Sequence, residues 1–283
     1  MKSFPIPGSA PYVVVAKAPG NGPHKWAGAP SAVRHDDGSF TLAYRVRDNG
    51  DGVVIARSDD GEHFETVVSI PSSQMGVGMT ERPAIIQMED GSWRMYVSCG
   101  NEIGHHWWIS LIEAATLEDL AYAPLRTIFP GDAVTWVKDP IVHRYGGTWH
   151  AWICCHLADI PGSEDRMNTA YATSQDGLEW EWHGTVLEGR PGYWDSRGAR
   201  MTVMLEDGRA AYDGRASAEE NWFERNGLAI QEPGSEIFTA IGDAPVAGHR
   251  YLEVVPVPGG FRIFYEALLP DESHELRTEL ILD

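Results

Sequence analysis

The sequence predicts an all-β fold, a five-bladed β-propeller, from three observations. A unit of about 55 residues recurs five times along the chain, and such a period is typical of a radial repeat. Each copy runs through an apolar strand, a tight turn and an aromatic-rich returning strand. The turns carry Asp-Gly or Gly-Gly, pairs that are favoured in hairpins. These pairs are Asp37-Gly38, Asp90-Gly91, Gly146-Gly147, Asp207-Gly208 and Gly259-Gly260.

The units follow one another without a linker, so we predict one domain. In copies one and three a third strand leads into the pattern Ser-x-Asp-Gly-x-x-aromatic, which ends at Phe64 and Trp180; its Ser and Asp form a local turn, and its aromatic ring is expected to pack between blades. Residues 12–16 are expected to add a missing strand to the last unit and close the ring. The predicted strand pairs are 29–33 with 40–44, 82–86 with 93–97, 139–142 with 149–153, 199–203 with 210–212, and 252–255 with 261–265. The predicted blades span roughly 26–75, 76–130, 131–190, 191–245 and 246–283.

Composition narrows the choice of partner. The formal net charge is −19, whereas nucleic acids and anionic membranes require clustered cations, so neither is expected as the main partner. The three cysteines, Cys99, Cys154 and Cys155, are predicted to be reduced, buried thiols. The first residues lack the apolar core of a signal peptide and no segment is long enough to span a bilayer, so we predict a cytoplasmic protein.

Charged residues recur where the units begin. In a propeller the first strands of all blades start near a central funnel, so equivalent positions converge on one pocket. A strand that enters a core is normally apolar there, which makes these charges candidates for a shared site, although an Asp before a Pro also caps turns. Cleavage of a glycosidic bond needs one protonated and one ionised carboxyl group. The residues at this position are Glu81, Arg82, Asp139, Asp195, Arg197 and Glu253.

Two stretches carry a resemblance to a known group of enzymes. Residues 136–142 with 171–180, and residues 251–255 with 261–265, resemble the five-bladed propeller glycoside hydrolases of the arabinanase and xylosidase type and of the invertase and fructanase type. Those families use an Asp near the start of one blade, the Asp of an Asp-Pro pair in the next and a Glu at the start of a third. The resemblance implies hydrolysis of a small oligosaccharide or glycoside in the central funnel.

One of those carboxylates is replaced in this chain, because Ala29 stands where the families carry their first Asp. The resemblance therefore implies a catalytic set moved to the last three blades. Glu253 is the predicted general acid, Asp195 the base or nucleophile, and Asp139 the orienting group. Glu81 is the reserve acid.

Further residues are predicted to bind the substrate. Arg82 and Arg197 can hold sugar hydroxyls by planar two-point contacts, or simply neutralise neighbouring aspartates. His249 resembles a histidine that these families place near a central ion, so a structural divalent ion in the funnel is an open possibility, while no organic cofactor and no catalytic metal are predicted. The predicted binding set is Glu81, Arg82, Trp136, Arg197, Asp213, Arg215 and His249.

Two other functions stay open at this point. A glycoside phosphorylase on the same fold would need cations beside the acid to hold phosphate, and Arg82 and Arg197 keep that alternative. A non-catalytic carbohydrate-binding propeller is favoured by the missing Asp of the first blade. The two longest insertions, residues 157–168 and 216–226, are expected in loops where sites form. The aromatic residues 105–108 suit either a sugar-stacking rim or core packing. The sugar, the linkage and the oligomeric state are undetermined.

Overall fold

The computed structural model describes residues 3–48, 51–101 and 106–283. This part of the chain holds twenty β-strands and one 3₁₀ helix, Glu118–Ala121. None of its helices is long and apolar enough to cross a membrane. The predicted all-β class is confirmed.

The strands pair as five antiparallel groups of four, which we call units 1 to 5. Unit 1 is β2 (Trp26–Arg34), β3 (Phe40–Arg47), β4 (Gly52–Ser58) and β5 (Glu65–Pro71). Unit 2 is β6 (Met79–Gln87), β7 (Trp93–Gly100), β8 (Trp107–Ala114) and β9 (Arg126–Phe129). Unit 3 is β10 (Thr135–Tyr145), β11 (Thr148–Leu157), β12 (Met167–Ser174) and β13 (Trp180–Glu188). Unit 4 is β14 (Gly198–Met204), β15 (Arg209–Arg215), β16 (Arg225–Gln231) and β17 (Phe238–Ile241). Unit 5 is β18 (Arg250–Val257), β19 (Gly260–Leu268), β20 (His274–Leu282) and the N-terminal β1 (Tyr12–Ala16).

Local sequence explains the first turn of three units. Asp37, Asp90 and Asp207 each accept a hydrogen bond from the backbone N–H two residues further on, at 2.9, 3.0 and 3.2 Å. The glycine after each Asp has a φ of 94°, 85° or 82°, a backbone conformation that side chains disfavour. These Asp-Gly pairs therefore specify the hairpins without help from the rest of the molecule.

The predicted Ser-x-Asp-Gly turns lock the third strands to neighbouring units. In both copies the serine Oγ accepts a hydrogen bond from the glycine N–H at 2.9 Å. The aromatic ring that follows then packs across a unit boundary, with 5.8 Å between the ring centres of Phe64 and Phe264 and 5.3 Å between those of Trp180 and Phe129. The structural role expected for this pattern is confirmed.

Apolar side chains fill the spaces between units. In the described ranges, one buried cluster lies between each adjacent pair of units, including units 5 and 1. The first strands of the five units contact one another in the same cyclic order. Each unit therefore buries its faces against two neighbours, as a repeat that cannot bury them alone must do.

A bulge interrupts the first strand at the same point in several units. In units 1, 2, 3 and 5 two residues fall out of register with the second strand, and Ala29, Asp139 and Tyr251 there have φ values of 52°, 51° and 53°. In unit 4 the irregularity follows Met201. A bulge bends its strand and re-aims the side chains. The first bulged residue of units 1, 2, 3 and 5 is Ala29, Glu81, Asp139 and Tyr251 respectively. In unit 4 Arg200 precedes the irregularity and pairs in register with Asp213.

Candidate functional site

A cavity of about 380 Å³ lies where the first strands of the five units begin. We call it the central cavity. Its wall combines tryptophan rings with cationic groups and carboxylates, a mixture suited to a polar ligand that has apolar faces. The lining includes Trp26, Arg47, Glu81, Trp107, Trp136, Lys138, Arg200, Arg215, Trp222, Glu224, Arg250 and Tyr251.

Four side chains from four different units meet at the floor of the central cavity. Glu81, Arg200 and Tyr251 belong to the lining, and Asp139 is fully buried directly behind them. The Tyr251 hydroxyl lies 3.2 Å from Asp139 Oδ2 and 3.5 Å from Glu81 Oε2. Arg200 Nη1 donates to the Tyr251 oxygen at 2.8 Å and to Asp139 Oδ2 at 3.0 Å, and its guanidinium stacks on the tyrosine ring at 3.9 Å. One hydroxyl proton thus faces two carboxylates while a cation supports the same oxygen.

Two arginines hold Glu81 in its ionised form. Arg45 Nε donates to Glu81 Oε2 at 3.0 Å, and Arg47 Nη2 donates to Glu81 Oε1 at 2.5 Å. Burial by itself raises the pKa of Glu81, but the two guanidinium groups outweigh burial and hold that pKa well below its usual range. Burial also raises the pKa of Tyr251 well above its usual value. The floor therefore presents an ionised carboxylate beside a neutral phenol.

Tryptophan rings form much of the wall. Trp107 is buried, and the Lys138 ammonium lies 4.9 Å over its ring. Trp222 is 41% exposed and has a φ of 77°, and the His24 ring meets it edge-on with 4.5 Å between ring centres. Trp222 is the tryptophan of the wall that offers a ligand the most open surface.

The insertions picked out in the sequence do reach this site. The first contributes Glu164 and Asp165 to the lining, and the second contributes Asn221, Trp222 and Glu224. The third predicted segment, 105–108, is described only in part, because His105 lies outside the described residues. Within that segment Trp107 lines the central cavity, so the segment contributes an aromatic ring to the cavity wall.

Asp195 does not meet Asp139, contrary to the predicted shared pocket. It is fully buried ahead of β14, where Arg190 Nε donates to Asp195 Oδ2 at 2.9 Å and the Tyr212 hydroxyl donates to the same oxygen at 2.7 Å. The cavity lining includes neither Asp195 nor these two partners. Arg200, five residues later, takes the place that the repeat assigned to Asp195, because unit 4 begins with a loop rather than with its strand.

Glu253 and Arg82 also lie apart from the cavity lining, further along their strands than Tyr251 and Glu81. Arg82 Nη2 donates to Glu253 Oε2 at 2.6 Å, and burial raises the pKa of that carboxyl. The same guanidinium donates to the backbone oxygens of Pro30 and Thr202 at 3.2 and 3.0 Å. Arg82 therefore ties units 1, 2, 4 and 5 together. Contrary to its expected place in the central pocket, Glu253 lies outside the cavity lining, and Tyr251, in the bulge two residues earlier, belongs to that lining.

Three predicted binding residues lie around the central cavity rather than in its wall. Arg197 forms a two-point contact with Asp165, at 2.9 and 2.7 Å. Asp213 is fully buried and accepts a 2.7 Å bond from Arg200 Nη2. His249 packs against Tyr265, and burial lowers its pKa to about 4. Of the predicted binding set, the wall includes Glu81, Trp136 and Arg215.

Sequence reasoning missed most of the cations and the phenol of the site. Arg45, Arg200 and Arg250 are at most 4% exposed, and Tyr251 is 2% exposed. The available signal was a charged or polar side chain at the cavity end of a strand that is otherwise apolar, because burying a charge requires a partner. That signal says nothing about which partner each charge meets.

The described ranges contain no group of three or more His, Cys, Asp and Glu side chains that could hold a metal ion. Between Asp139 and Asp213 the charge is supplied by Arg200, whose Nη1 and Nη2 lie 3.0 and 2.7 Å from the two carboxylates.

No protein-family model matches the chain, and no curated protein matches its sequence. Solved structures are similar in fold. A β-1,2-mannobiose phosphorylase from Listeria innocua has a TM-score of 0.62 at 15% identity, over 99% of this chain and 93% of that one. A thermostable family-43 glycoside hydrolase has a TM-score of 0.66 at 17% identity, over 90% and 88%. A GH32 β-fructofuranosidase of Bombyx mori has a TM-score of 0.66 at 11% identity, over 95% and 61%. The expected resemblance to propeller glycoside hydrolases is confirmed as a likeness of fold.

Proposed function

We propose that this protein is an enzyme that cleaves a glycosidic bond of a small carbohydrate in the central cavity. The observation that carries the proposal is the floor, where the ionised carboxylate of Glu81 and the buried carboxylate of Asp139 flank the hydroxyl of Tyr251. Glycoside cleavage requires one group that donates a proton and one that accepts it, and the Tyr251 hydroxyl and the Glu81 carboxylate provide this pair. The similar folds of glycoside hydrolases and of a glycoside phosphorylase support the same reaction class.

The five units are, in this proposal, the five blades of a closed β-propeller. The cyclic contacts of the first strands and the buried cluster between units 5 and 1 support the closure. The pairing of β1 with β20 supports it further, because the N-terminal strand then completes the last blade. Three expectations stay predictions. They are that the protein uses no organic cofactor, that neither nucleic acid nor membrane is its main partner, and that it is cytoplasmic.

In the proposed reaction Glu81 takes a proton from water, and the water oxygen bonds to the anomeric carbon. The bond to the leaving oxygen breaks as that oxygen takes the Tyr251 proton, and Arg200 stabilises the phenolate from 2.8 Å. The proton on Glu81 then returns to Tyr251 across their 3.5 Å contact, which restores both groups. Asp139 orients the hydroxyl, the role expected for it from the sequence.

Phosphorolysis is the second candidate, and one observation favours it. Five cationic side chains line the central cavity, and cations of this kind bind phosphate through charge-assisted hydrogen bonds. Phosphate is already an anion, so it can attack the anomeric carbon without the base that water needs. The five are Arg47, Lys138, Arg200, Arg215 and Arg250.

The proposal is tested by a screen of nitrophenyl glycosides and of small oligosaccharides with and without inorganic phosphate. Wild-type protein is expected to release sugar, and a requirement for phosphate would assign phosphorolysis. Tyr251→Phe keeps the ring that stacks on Arg200 but lacks the proton, so its turnover is expected to fall by about 10²-fold on substrates with poor leaving groups. The fall should be much smaller on dinitrophenyl glycosides, whose leaving oxygen needs little protonation.

Two results would overturn the proposal. Sugar binding without turnover of any substrate would indicate a carbohydrate-binding propeller. An equal loss on good and poor leaving groups would remove Tyr251 from proton transfer.

Trp222 is expected to act as a stacking surface for the substrate. Trp222→Ala should raise KM roughly fivefold, equivalent to about 1 kcal/mol, because a ring that packs on a sugar face contributes to binding rather than to bond cleavage. Trp182→Ala is the matched control, since Trp182 is similarly exposed at 46% but lies on β13. Steady-state kinetics decide the matter, and a KM that is the same in both variants would contradict the assignment.

A further inference from the structure

A network of linked ion pairs, in which arginines and glutamates alternate, lies at the floor of the central cavity and behind it. Arg47 and Arg45 both donate to Glu81, and Arg45 Nη2 also donates to Glu266 Oε2 at 2.7 Å. Arg250 Nε donates to the other oxygen of Glu266 at 2.7 Å. The network extends to unit 4, because Arg250 Nη1 donates to Glu224 at 2.9 Å. These contacts couple units 2, 1, 5 and 4 around the site.

Arg45 connects two carboxylates of this network, Glu81 and Glu266. It is fully buried and lies outside the cavity lining, so it cannot touch a substrate. It bonds Glu81 Oε2, which is the oxygen that faces the Tyr251 hydroxyl, whereas Arg47 bonds Oε1. Arg45 Nη2 donates to Glu266, which is itself fully buried and is held in turn by Arg250. Arg45 therefore has little freedom to move away from Glu81.

We infer that Arg45 is a positioning residue, which pairs with Glu81 and directs its Oε2 at Tyr251. Its kinetic consequence rests on the proposed function, but its effect on Glu81 does not. Other charged or titratable groups face Glu81 from β10, β18 and the connection after β3. Besides Arg45 and Arg47 these groups are Asp51, Lys138, Asp139, Arg250 and Tyr251.

The sign of the effect follows from the balance at Glu81. Burial favours the protonated form and the arginines favour the ionised form, with the arginines prevailing. Removing Arg45 leaves the burial in place and deletes one attraction, so the pKa of Glu81 rises. Loss of an opposite charge at this range is worth about one to three pH units. In the proposed reaction Glu81 acts as the base, so the acidic limb of the kcat/KM profile moves to higher pH by the same amount.

The experiment follows the carboxyl ¹³C signal of Glu81 during an acid titration of protein labelled at glutamate, with the signal assigned by its loss in Glu81→Gln. Arg45→Met is expected to raise the titration midpoint by about one to three pH units. Arg45→Lys retains one charge but cannot bridge two carboxylates, so its shift should have the same sign and be smaller. The control is Arg126→Met, which removes an exposed partner of Glu179 and should not move the signal.

Each outcome decides the inference. An unchanged Glu81 midpoint in folded Arg45→Met overturns it. If that variant does not fold, an unchanged midpoint in Arg45→Lys overturns it equally. The kinetic arm compares the acidic limb of kcat/KM in the same variants, and a limb that stays in place while the midpoint moves removes Glu81 as the base. An inactive wild-type protein would reject the proposed function while the titration still tests Arg45.

Discussion

Glu81→Gln is expected to lower kcat by about 10²–10⁴-fold, the range that general acid–base groups contribute. Glutamine keeps the size of the side chain but cannot take a proton from water. KM should change little, because the proposed role of Glu81 lies in the bond-breaking step. The measurement is steady-state kinetics on the substrate that the screen identifies.

Glu253→Gln is the matched control for this result. It makes the same chemical change in a first-strand carboxylate side chain that is 18% exposed, but Glu253 contacts Arg82 rather than Tyr251. We expect folded Glu253→Gln to keep kcat within a few-fold of wild type. The reverse pattern, with Glu253 essential and Glu81 dispensable, would restore the catalytic set predicted from the sequence and reject the one proposed from the structure.

Arg82→Met is expected to lower the free energy of unfolding by about 3 kcal/mol, the lower end of the range for a broken buried pair, because it leaves the largely buried carboxylate of Glu253 without its partner. It also deprives the backbone oxygens of Pro30 and Thr202 of their donor, so first strands from units 1, 2, 4 and 5 lose a common tie. Urea unfolding followed by tryptophan fluorescence measures the change. The folded fraction should keep its kcat/KM, since Arg82 lies outside the cavity lining.

Two further variants make this prediction specific. Adding Glu253→Gln to Arg82→Met removes the unpaired charge, so part of the lost stability should return. Arg144→Met breaks an exposed pair with Glu89 and should cost only about 0–1 kcal/mol. A loss from Arg82→Met no larger than that of Arg144→Met, or a loss of turnover in its folded fraction, would contradict the assigned role.

The turns show what short-range sequence can determine. Asp37, Asp90 and Asp207 bond backbone groups two residues away, so their geometry depends on adjacent residues alone. The all-β class follows from the same local signals, since hairpin turns alternate with apolar strands at a regular spacing. Phe64 and Trp180 could likewise be assigned to packing, because their motif places them at the end of a third strand.

Part of the site was also within reach of the sequence. Glu81 and Asp139 were found because a charge at the start of an apolar strand needs a partner, and the repeat indicates that such positions converge. The repeat could not tell which of several charges in one segment occupies the converging position. A shift of two residues at a bulge decides between Tyr251 and Glu253, and a bulge leaves no reliable trace in a single sequence.

The sequence by itself thus determined the all-β class, the local turns and two of the four side chains at the cavity floor, because those depend on neighbouring residues and on the repeat. The tertiary structure alone decided that Arg200 and Tyr251 complete the floor, that Arg45 stands behind Glu81, and that Asp195 and Arg82 serve the scaffold. The physical reason is that the role of a buried charge depends on the partner it meets, and these partners are distant in sequence. Glu81 and Glu266 lie 36 and 221 residues from Arg45, and Glu253 lies 171 residues from Arg82. Strand register and bulges bring such distant residues together, and both arise only when the units pack.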